Sequence, residues 1–223
     1  MEWLGWKLYT ASLLHRGVTL VMHIPPGMDA YNSSHAQCQA PVSFWQDRYQ
    51  VEFSTLMSTY SNVVQLALAG HIHMDDFRVT AADPSRLPLR ITPSVSPIFR
   101  NNPGFSVMNY DLKTAAISDI TTYFLSLSSP TPTWSKEYQF SSAYDVSSFS
   151  AANLSTIAAA IRSGGTAQKT FENDYAVSAS SPIDPSNLLF YSCAQTHFSS
   201  TGYSDCVCGV AAPESHSDAP HPM

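Results

Sequence analysis

Two histidines one residue apart come directly after an apolar segment of this chain. The segment 63–69 is followed by Gly70, His71, Ile72 and His73. In an extended backbone, residues i and i+2 point to the same side, so both imidazoles are predicted to enter one cleft. The glycine is expected to let the backbone turn without a side-chain clash. Neutral imidazole is a common ligand of zinc and similar ions, so the pattern is typical of a metal site. For the pair in isolation, polar residues at a strand end are the simpler interpretation.

The elements that would position these histidines alternate between helix and strand. They are predicted as a helix over 3–16, a strand over 18–23, a helix over 43–60 and a strand over 63–69. This order implies parallel strands joined by a right-handed crossover. Ligands gather beyond the carboxyl ends of such strands; His23 ends the first strand, and His71 and His73 follow the second. All three histidines are therefore predicted to reach one site.

Apolar spacing also predicts which helix residues are buried. The candidates are Trp3, Trp6, Leu13 and Leu14 in the first helix, and Trp45, Tyr49, Phe53, Leu56 and Tyr60 in the second. After residue 76 the pattern changes to short strands, predicted over 77–80, 89–92, 105–110 and 117–127. Residues 128–150 are predicted as loop, 151–162 as a helix and 209–223 as a disordered tail.

The composition is that of a globular protein with an acidic balance. The chain has 223 residues, 44% of them hydrophobic, which suits one domain or one domain with an extension. A formal charge of -6 with 11 Lys plus Arg argues against a nucleic-acid polymer as partner. No apolar run of about 18 residues occurs, so no membrane span is expected. Residues 1–7 lack the pattern of a signal peptide.

The chain has four cysteines, three of them near its C-terminus. A bridge between Cys193 and Cys206 would close a short loop and contribute roughly 3 kcal/mol by chain entropy. Cys206 and Cys208 are too close along the chain for an ordinary bridge with each other. Cys38 could pair with Cys208 or stay free. Four buried reduced thiols are the alternative interpretation.

Four further polar residues are assigned from their local context. Asn32 and Asn153 each begin an N-glycosylation sequon, which mildly favours a secreted protein. Asp75 and Asp76 follow His73 closely and could orient its ring through the free nitrogen. A solvated turn is the favoured interpretation for both aspartates, because acidic residues are mostly exposed.

Four motifs occur in the order in which a known family carries them. They are His23-Ile24-Pro25-Pro26-Gly27, Gly70-His71-Ile72-His73, Thr92-Pro93-Ser94-Val95-Ser96-Pro97 and Asn101-Asn102-Pro103-Gly104-Phe105. Together they resemble the C-terminal half of acid sphingomyelinase and of the acid sphingomyelinase-like phosphodiesterases, within the calcineurin-like metallophosphoesterase superfamily. The resemblance covers roughly residues 1–208, and the segment from Cys193 to Cys206 resembles the terminal disulfide loop of the sphingomyelinase-like branch.

The resemblance implies an α/β fold, the C-terminal half of a metallophosphoesterase β-sandwich flanked by helices, with a small disulfide-bearing extension. The chain would comprise a partial metallophosphoesterase domain (1–127), a C-terminal sphingomyelinase-like extension (128–208) and the tail (209–223).

Site residues follow from the same resemblance. His23 and His71 resemble ligands of the second metal, and His73 resembles a ligand of the first. Both ions are typically zinc in the family, where they would activate a bridging water and polarise the phosphoryl oxygens.

The motifs that come earlier in the family's site do not occur in this sequence. They are Asp-x-His, a Gly-Asp pair and Gly-Asn-His followed by Asp or Glu. In the family they supply the bridging aspartate, an asparagine ligand and the histidine that protonates the leaving oxygen. Without the bridging carboxylate two nearby cations would repel strongly, so at most one zinc ion is expected here.

Two functions are therefore carried forward. The first is a metal-dependent, sphingomyelin phosphodiesterase-like hydrolase present as a fragment that is inactive alone, acting in the family on a phosphodiester small molecule or a lipid head group. The alternative is a non-catalytic remnant, or a partner subunit that docks onto a complementing chain with the missing half-site. The resemblance implies an extracellular or lysosomal location.

Overall fold

The computed structural model describes residues 1–36, 40–80, 87–112 and 116–209. Its helices are α1 (Glu2–Leu13), α2 (Ala30–Ala36), α3 (Asp47–Thr59), α4 (Phe140–Tyr144), α5 (Ala151–Ser163), α6 (Thr166–Tyr175), α7 (Leu188–Ala194) and α8 (Ser200–Cys208). Its strands are β1 (Val18–Val21), β2 (Val64–Ala69), β3 (Asp76–Val79), β4 (Pro88–Ile91), β5 (Gly104–Tyr110), β6 (Ile117–Leu125) and β7 (Trp134–Gln139). Among these described helices, none is long and apolar enough to cross a membrane.

The first sheet has the order β1-β2-β4-β3. β1 runs parallel to β2 and β2 runs parallel to β4, whereas β3 is antiparallel to β4. The predicted parallel pair of β1 and β2 is confirmed, and the connection between them carries α2 and α3. A parallel pair needs such a crossover because the chain must return to the starting edge.

A second sheet of three antiparallel strands has the order β5-β6-β7. The prediction of a loop over 128–150 is wrong, because β7 and α4 lie within it. The segment is rich in Ser and Thr, and within the described part of the chain its strand pairs with β6 alone, so its own pattern carries little apolar signal. The α/β class with two sheets and flanking helices is confirmed, and the boundary at residue 127 stays a prediction.

One buried arginine connects the two sheets. Arg90 on β4 is 1% exposed and pairs with the carboxylate of Asp75. The same guanidinium nitrogen lies within hydrogen-bond distance of hydroxyl groups on all three strands of the second sheet, at Ser106, Thr122 and Tyr138. Burial would disfavour the charge, but the facing carboxylate raises the pKa of Arg90. The cation therefore stays charged and links the sheets.

Two apolar cores hold the helices against the sheets. The larger core joins side chains of both sheets, such as Phe77 and Ile120, to Leu154 and Ile157 of α5. The smaller core packs Leu8 of α1 and Phe53 of α3 against the first sheet. Phe53 confirms one predicted buried position; Trp45, Leu56 and Tyr60 are partly buried against this core, and Tyr49 is 37% exposed.

The predicted burial of α1 is wrong in detail. All four candidates are exposed, at 70% for Trp3, 60% for Trp6, 61% for Leu13 and 54% for Leu14. Leu8 is the buried residue of this helix. The helix is apolar on more than one side, so spacing alone does not say which side meets the core.

The C-terminal part of the chain is helical and carries the expected disulfide. The structure contains the bridge between Cys193 and Cys206, with Cα atoms 5.9 Å apart, so the alternative of four reduced thiols is wrong. Cys208 is also disulfide-bonded. Cys38 lies outside the described residues, as does the predicted tail beyond Gly209.

Candidate metal centre at the ends of β1 and β2

The ends of β1 and β2 lie side by side because their parallel pairing continues past the last strand residues. The backbone N–H of Met22 donates to the carbonyl of Leu68 at 2.9 Å, and the N–H of Gly70 donates to the carbonyl of His23 at 2.9 Å. These bonds place His23 beside the Gly70 turn. His71 therefore starts next to His23 although 48 residues separate them in sequence.

His23 and His71 point ring nitrogens at each other. Nε2 of His23 lies 3.4 Å from Nδ1 of His71, with ring centroids 5.2 Å apart and the planes nearly perpendicular. That separation is long for an N–H···N hydrogen bond. It matches the spacing of about 3.4 Å that two nitrogens take when both lie about 2.05 Å from one tetrahedral zinc ion. Both side chains are exposed, so an ion could reach them from solvent. The pair therefore fits two ligands of one cation.

His73 is held in different surroundings. Its Nδ1 lies 3.3 Å from the carbonyl oxygen of Ser96, and its ring packs edge-on against Phe99 at a centroid distance of 4.9 Å. A carbonyl only accepts, so this contact is a hydrogen bond when Nδ1 carries the proton, and that arrangement leaves Nε2 for a metal. Metal-bound histidines are commonly oriented in this way by a backbone carbonyl.

The contacts of His73 differ from those that His23 and His71 make with each other. His71 contacts His23 and the ring of Phe44, whereas His73 contacts Phe99 and Ser96. Within 1–36, 40–80, 87–112 and 116–209, no three His, Cys, Asp or Glu side chains form a group that could hold a metal ion. The joint site of His23, His71 and His73 stays a prediction.

The backbone at the two histidines is not extended, contrary to the expectation. His71 has φ 74° and His73 has φ 66°, both in the left-handed region, and the N–H of Ile72 returns to the carbonyl of Gly70 at 2.9 Å. Histidine is one of the residues that tolerate this region better than most, yet each instance is strained. Gly70 itself has no positive φ, and a Cβ there would meet His23 at an ordinary 3.8 Å. The strain therefore lies on the candidate ligands.

The two aspartates after His73 serve the core. Asp75 and Asp76 are 4% and 3% exposed, so the favoured solvated turn is wrong. Asp75 pairs with Arg90 and Asp76 pairs with Arg78, and neither contact involves His73. Burial raises the pKa of Asp76, and the charge of Arg78 opposes that shift. Sequence reasoning missed both arginines, although Arg78 and Arg90 each stand within an apolar strand.

Both sequons lie on helices. The side-chain nitrogen of Asn32 donates to Asp29 at 2.6 Å on the exposed side of α2. The side-chain nitrogen of Asn153 donates to the carbonyl of Ser148 at 3.0 Å in the first turn of α5. Glycosylation at either residue stays a prediction.

Comparison with known proteins decides the family. The model described as "Acid sphingomyelin phosphodiesterase C-terminal region" matches residues 85–212, more than half of the chain. The chain belongs to this family. The matched range includes Ser96, whose carbonyl contacts His73. His23, His71 and His73 themselves precede this range.

Relatives of this family member span much greater lengths. The chain is 31% identical over 154 residues to "Sphingomyelinase phosphodiesterase D" of Dictyostelium discoideum, which covers 65% of this chain and 33% of the relative. It is 27% identical over 228 residues to "Acid sphingomyelinase-like phosphodiesterase 3b" of Mus musculus, covering 95% of this chain and 48% of the relative. It is 23% identical over 222 residues to "Cyclic GMP-AMP phosphodiesterase SMPDL3A" of Homo sapiens, covering 92% and 47%. The chain thus spans a third to a half of their length.

Proposed function

We propose that this chain carries one half of the metal centre of a phosphodiester hydrolase, with His23 and His71 as ligands of a zinc ion. The observation that carries the proposal is the pair of ring nitrogens facing each other at 3.4 Å at the carboxyl ends of two parallel strands. The three relatives, whose names all contain phosphodiesterase, support the reaction class.

The roles of the chain's own residues follow from their surroundings. His23 and His71 would bind the ion, and His73 would present Nε2 towards the first metal position, because Ser96 holds its other nitrogen. When bound, zinc supplies a Lewis acid for phosphoryl oxygens and an acidified water. Phe44 and Phe99 flank His71 and His73 and would limit how these rings turn.

The proposed half-site needs a carboxylate from elsewhere. Asp75 and Asp76 lie two and three residues after His73, but they form ion pairs with Arg90 and Arg78. Two zinc ions without a bridging anion would repel each other, so the chain is proposed to hold at most one. A segment or chain with the other half of the site would complete the reaction centre.

The substrate class is proposed as a phosphodiester. The relatives' names point to sphingomyelin in one case and to cyclic GMP-AMP in another, and the feature these two share is the phosphodiester group. A secreted or lysosomal location is proposed with it, because the Cys193–Cys206 disulfide persists best in an oxidising compartment.

A non-catalytic partner subunit is the second candidate. It is favoured by β1, an edge strand of its sheet whose last residue, Val21, is 78% exposed. An exposed edge strand can pair with another chain.

Hydrolysis of bis(4-nitrophenyl) phosphate with added zinc separates the two candidates. The hydrolase proposal expects a zinc-dependent rate above buffer once a second chain that carries the family's earlier motifs is added, and it expects H71A to abolish that rate. H35A is the matched control because His35 is an exposed histidine on α2. Two zinc ions per purified monomer would contradict both candidates, because each expects at most one. Equal rates for H71A and the parent with that second chain present would contradict the hydrolase proposal.

A further inference from the structure

Asn101 is a buried residue in the loop between β4 and β5. It is 1% exposed, and its Nδ2 lies 3.0 Å from the carbonyl oxygens of both Ser96 and Asn102 and 3.5 Å from that of Ser94. Only an N–H₂ group can face three acceptors, so the orientation of this amide is fixed. The side chain gathers three carbonyl oxygens around one donor group.

The carbonyl of Ser96 is shared with His73. It accepts from Nδ1 of His73 at 3.3 Å and from Nδ2 of Asn101 at 3.0 Å. The loop is also tied to the backbone of His73, since the N–H of Ser94 donates to the carbonyl of His73 at 3.2 Å. Whatever fixes the Ser96 carbonyl therefore fixes which nitrogen of His73 is free.

Asn102 anchors the same loop to the C-terminal helices. Its Nδ2 donates to the carbonyl of Val177 at 2.9 Å, and its Oδ1 accepts from the N–H of Leu127 at 3.1 Å. The approach is close, because a Cβ on Gly104 would lie only 2.7 Å from the side chain of Val177. The turn after α6 thus packs against this loop.

We propose that Asn101 is a positioning residue for His73: it holds the Ser96 carbonyl so that the imidazole keeps its proton on Nδ1 and offers Nε2 to a cation. The inference rests on the proposed metal centre for its purpose, but its geometry concerns the metal-free chain. Through Asn102, the C-terminal helices would support His73, although His73 precedes them by about a hundred residues in sequence. Loss of such an outer partner typically lowers metal affinity by about 10- to 100-fold.

The test uses N101D, which keeps the shape of the side chain but turns the donor into an acceptor among carbonyl oxygens. The matched control is N109D, the same change at an exposed residue of β5. Nitrogen-15 NMR of the metal-free full chain reports which ring nitrogen of His73 carries the proton. We expect the Nδ1–H form in the parent and in N109D, and a mixture of both forms in N101D.

A second variant covers the case in which N101D fails to fold. S94A removes the hydroxyl that accepts from the N–H of Ser96 at 3.0 Å, and it introduces no buried charge. We expect a smaller shift of His73 towards the Nε2–H form. An unchanged His73 tautomer in folded N101D, or in S94A where N101D does not fold, would overturn the proposal.

Zinc affinity gives an independent second readout. N101D should weaken any zinc that His73 binds by about 10- to 100-fold relative to N109D, whereas the ion held by His23 and His71 should bind equally well to both variants. If the parent binds no zinc at all, the proposed function fails, while the tautomer of His73 still decides the role of Asn101.

Discussion

The two edges of the first sheet are built in opposite ways. Every residue of β3 is buried, and α5 covers this edge with apolar side chains. At the other edge, Val21 of β1 is 78% exposed. An exposed edge strand can pair with a strand of another chain. The covered edge therefore stabilises the fold, and the open edge is available for strand pairing.

The largest expected effect lies on the covered edge. R90M would leave Asp75 buried without its cation, and breaking such a pair costs about 3–5 kcal/mol in the free energy of unfolding. Urea unfolding followed by circular dichroism measures it. R100M, at an exposed arginine, should stay within about 0.5 kcal/mol of the parent. A similar small effect for R90M would mean that the inter-sheet network does not hold the sheets together.

The disulfide between α7 and α8 is expected to make the next largest contribution to the free energy of unfolding. Replacing both Cys193 and Cys206 by Ser should lower the free energy of unfolding by about 3 kcal/mol, because the unfolded chain loses a constraint over a 13-residue separation. Guanidinium unfolding of the double variant checks this. Equal stability of variant and parent would remove the bridge from the list of stabilising contacts.

Two partly buried acidic residues, Glu137 on β7 and Asp174 on α6, should make the stability depend on pH. Burial, with the charges of Asp75 and Asp174, raises the pKa of Glu137 to about 8 from 4.5. Between these two values the folded chain keeps a proton that the unfolded chain has lost, so stability falls as pH rises, by up to about 1.4 kcal/mol per unit. The pKa of Asp174, raised to about 7 by burial, adds the same sign at lower pH.

Thermal unfolding from pH 5 to 9 measures this slope. E137Q should flatten it between about pH 5 and 8, because the amide does not titrate. E52Q, on an exposed residue of α3, is the matched control. The same slope in E137Q and E52Q would show that Glu137 is not the group responsible.

The smallest expected effect lies on the open edge. V21K should change the free energy of unfolding by no more than about 0.5 kcal/mol, since the side chain already faces solvent. It should reduce self-association at high protein concentration, because a lysine on an edge strand opposes strand pairing. Sedimentation velocity measures the association. A large loss of stability in V21K would show that the edge is covered in solution and would reverse the comparison.

The sequence predicted local elements better than contacts between distant residues. The apolar runs before His23 and His71 located β1 and β2, and their order predicted the parallel pair. These signals are local, so a single sequence carries them. The same holds for α5, predicted over 151–162 and observed at Ala151–Ser163.

Features that depend on distant partners could not be predicted. Asp75 and Asp76 read as a turn, because their arginine partners are identified only once the strands pair in register. The strain at His71 and His73 arises from a tight turn that alternating spacing does not indicate. The role of Asn101 depends on the carbonyl of Ser96, a backbone atom that no side-chain pattern reveals.

A competitive zinc titration against a chromogenic chelator tests the central claim, that His23 and His71 are two ligands of one cation. The parent and H35A should bind one zinc ion per chain, and H23A and H71A should each lose at least about tenfold in affinity. Overlapping titration curves for H23A, H71A and the parent would contradict it.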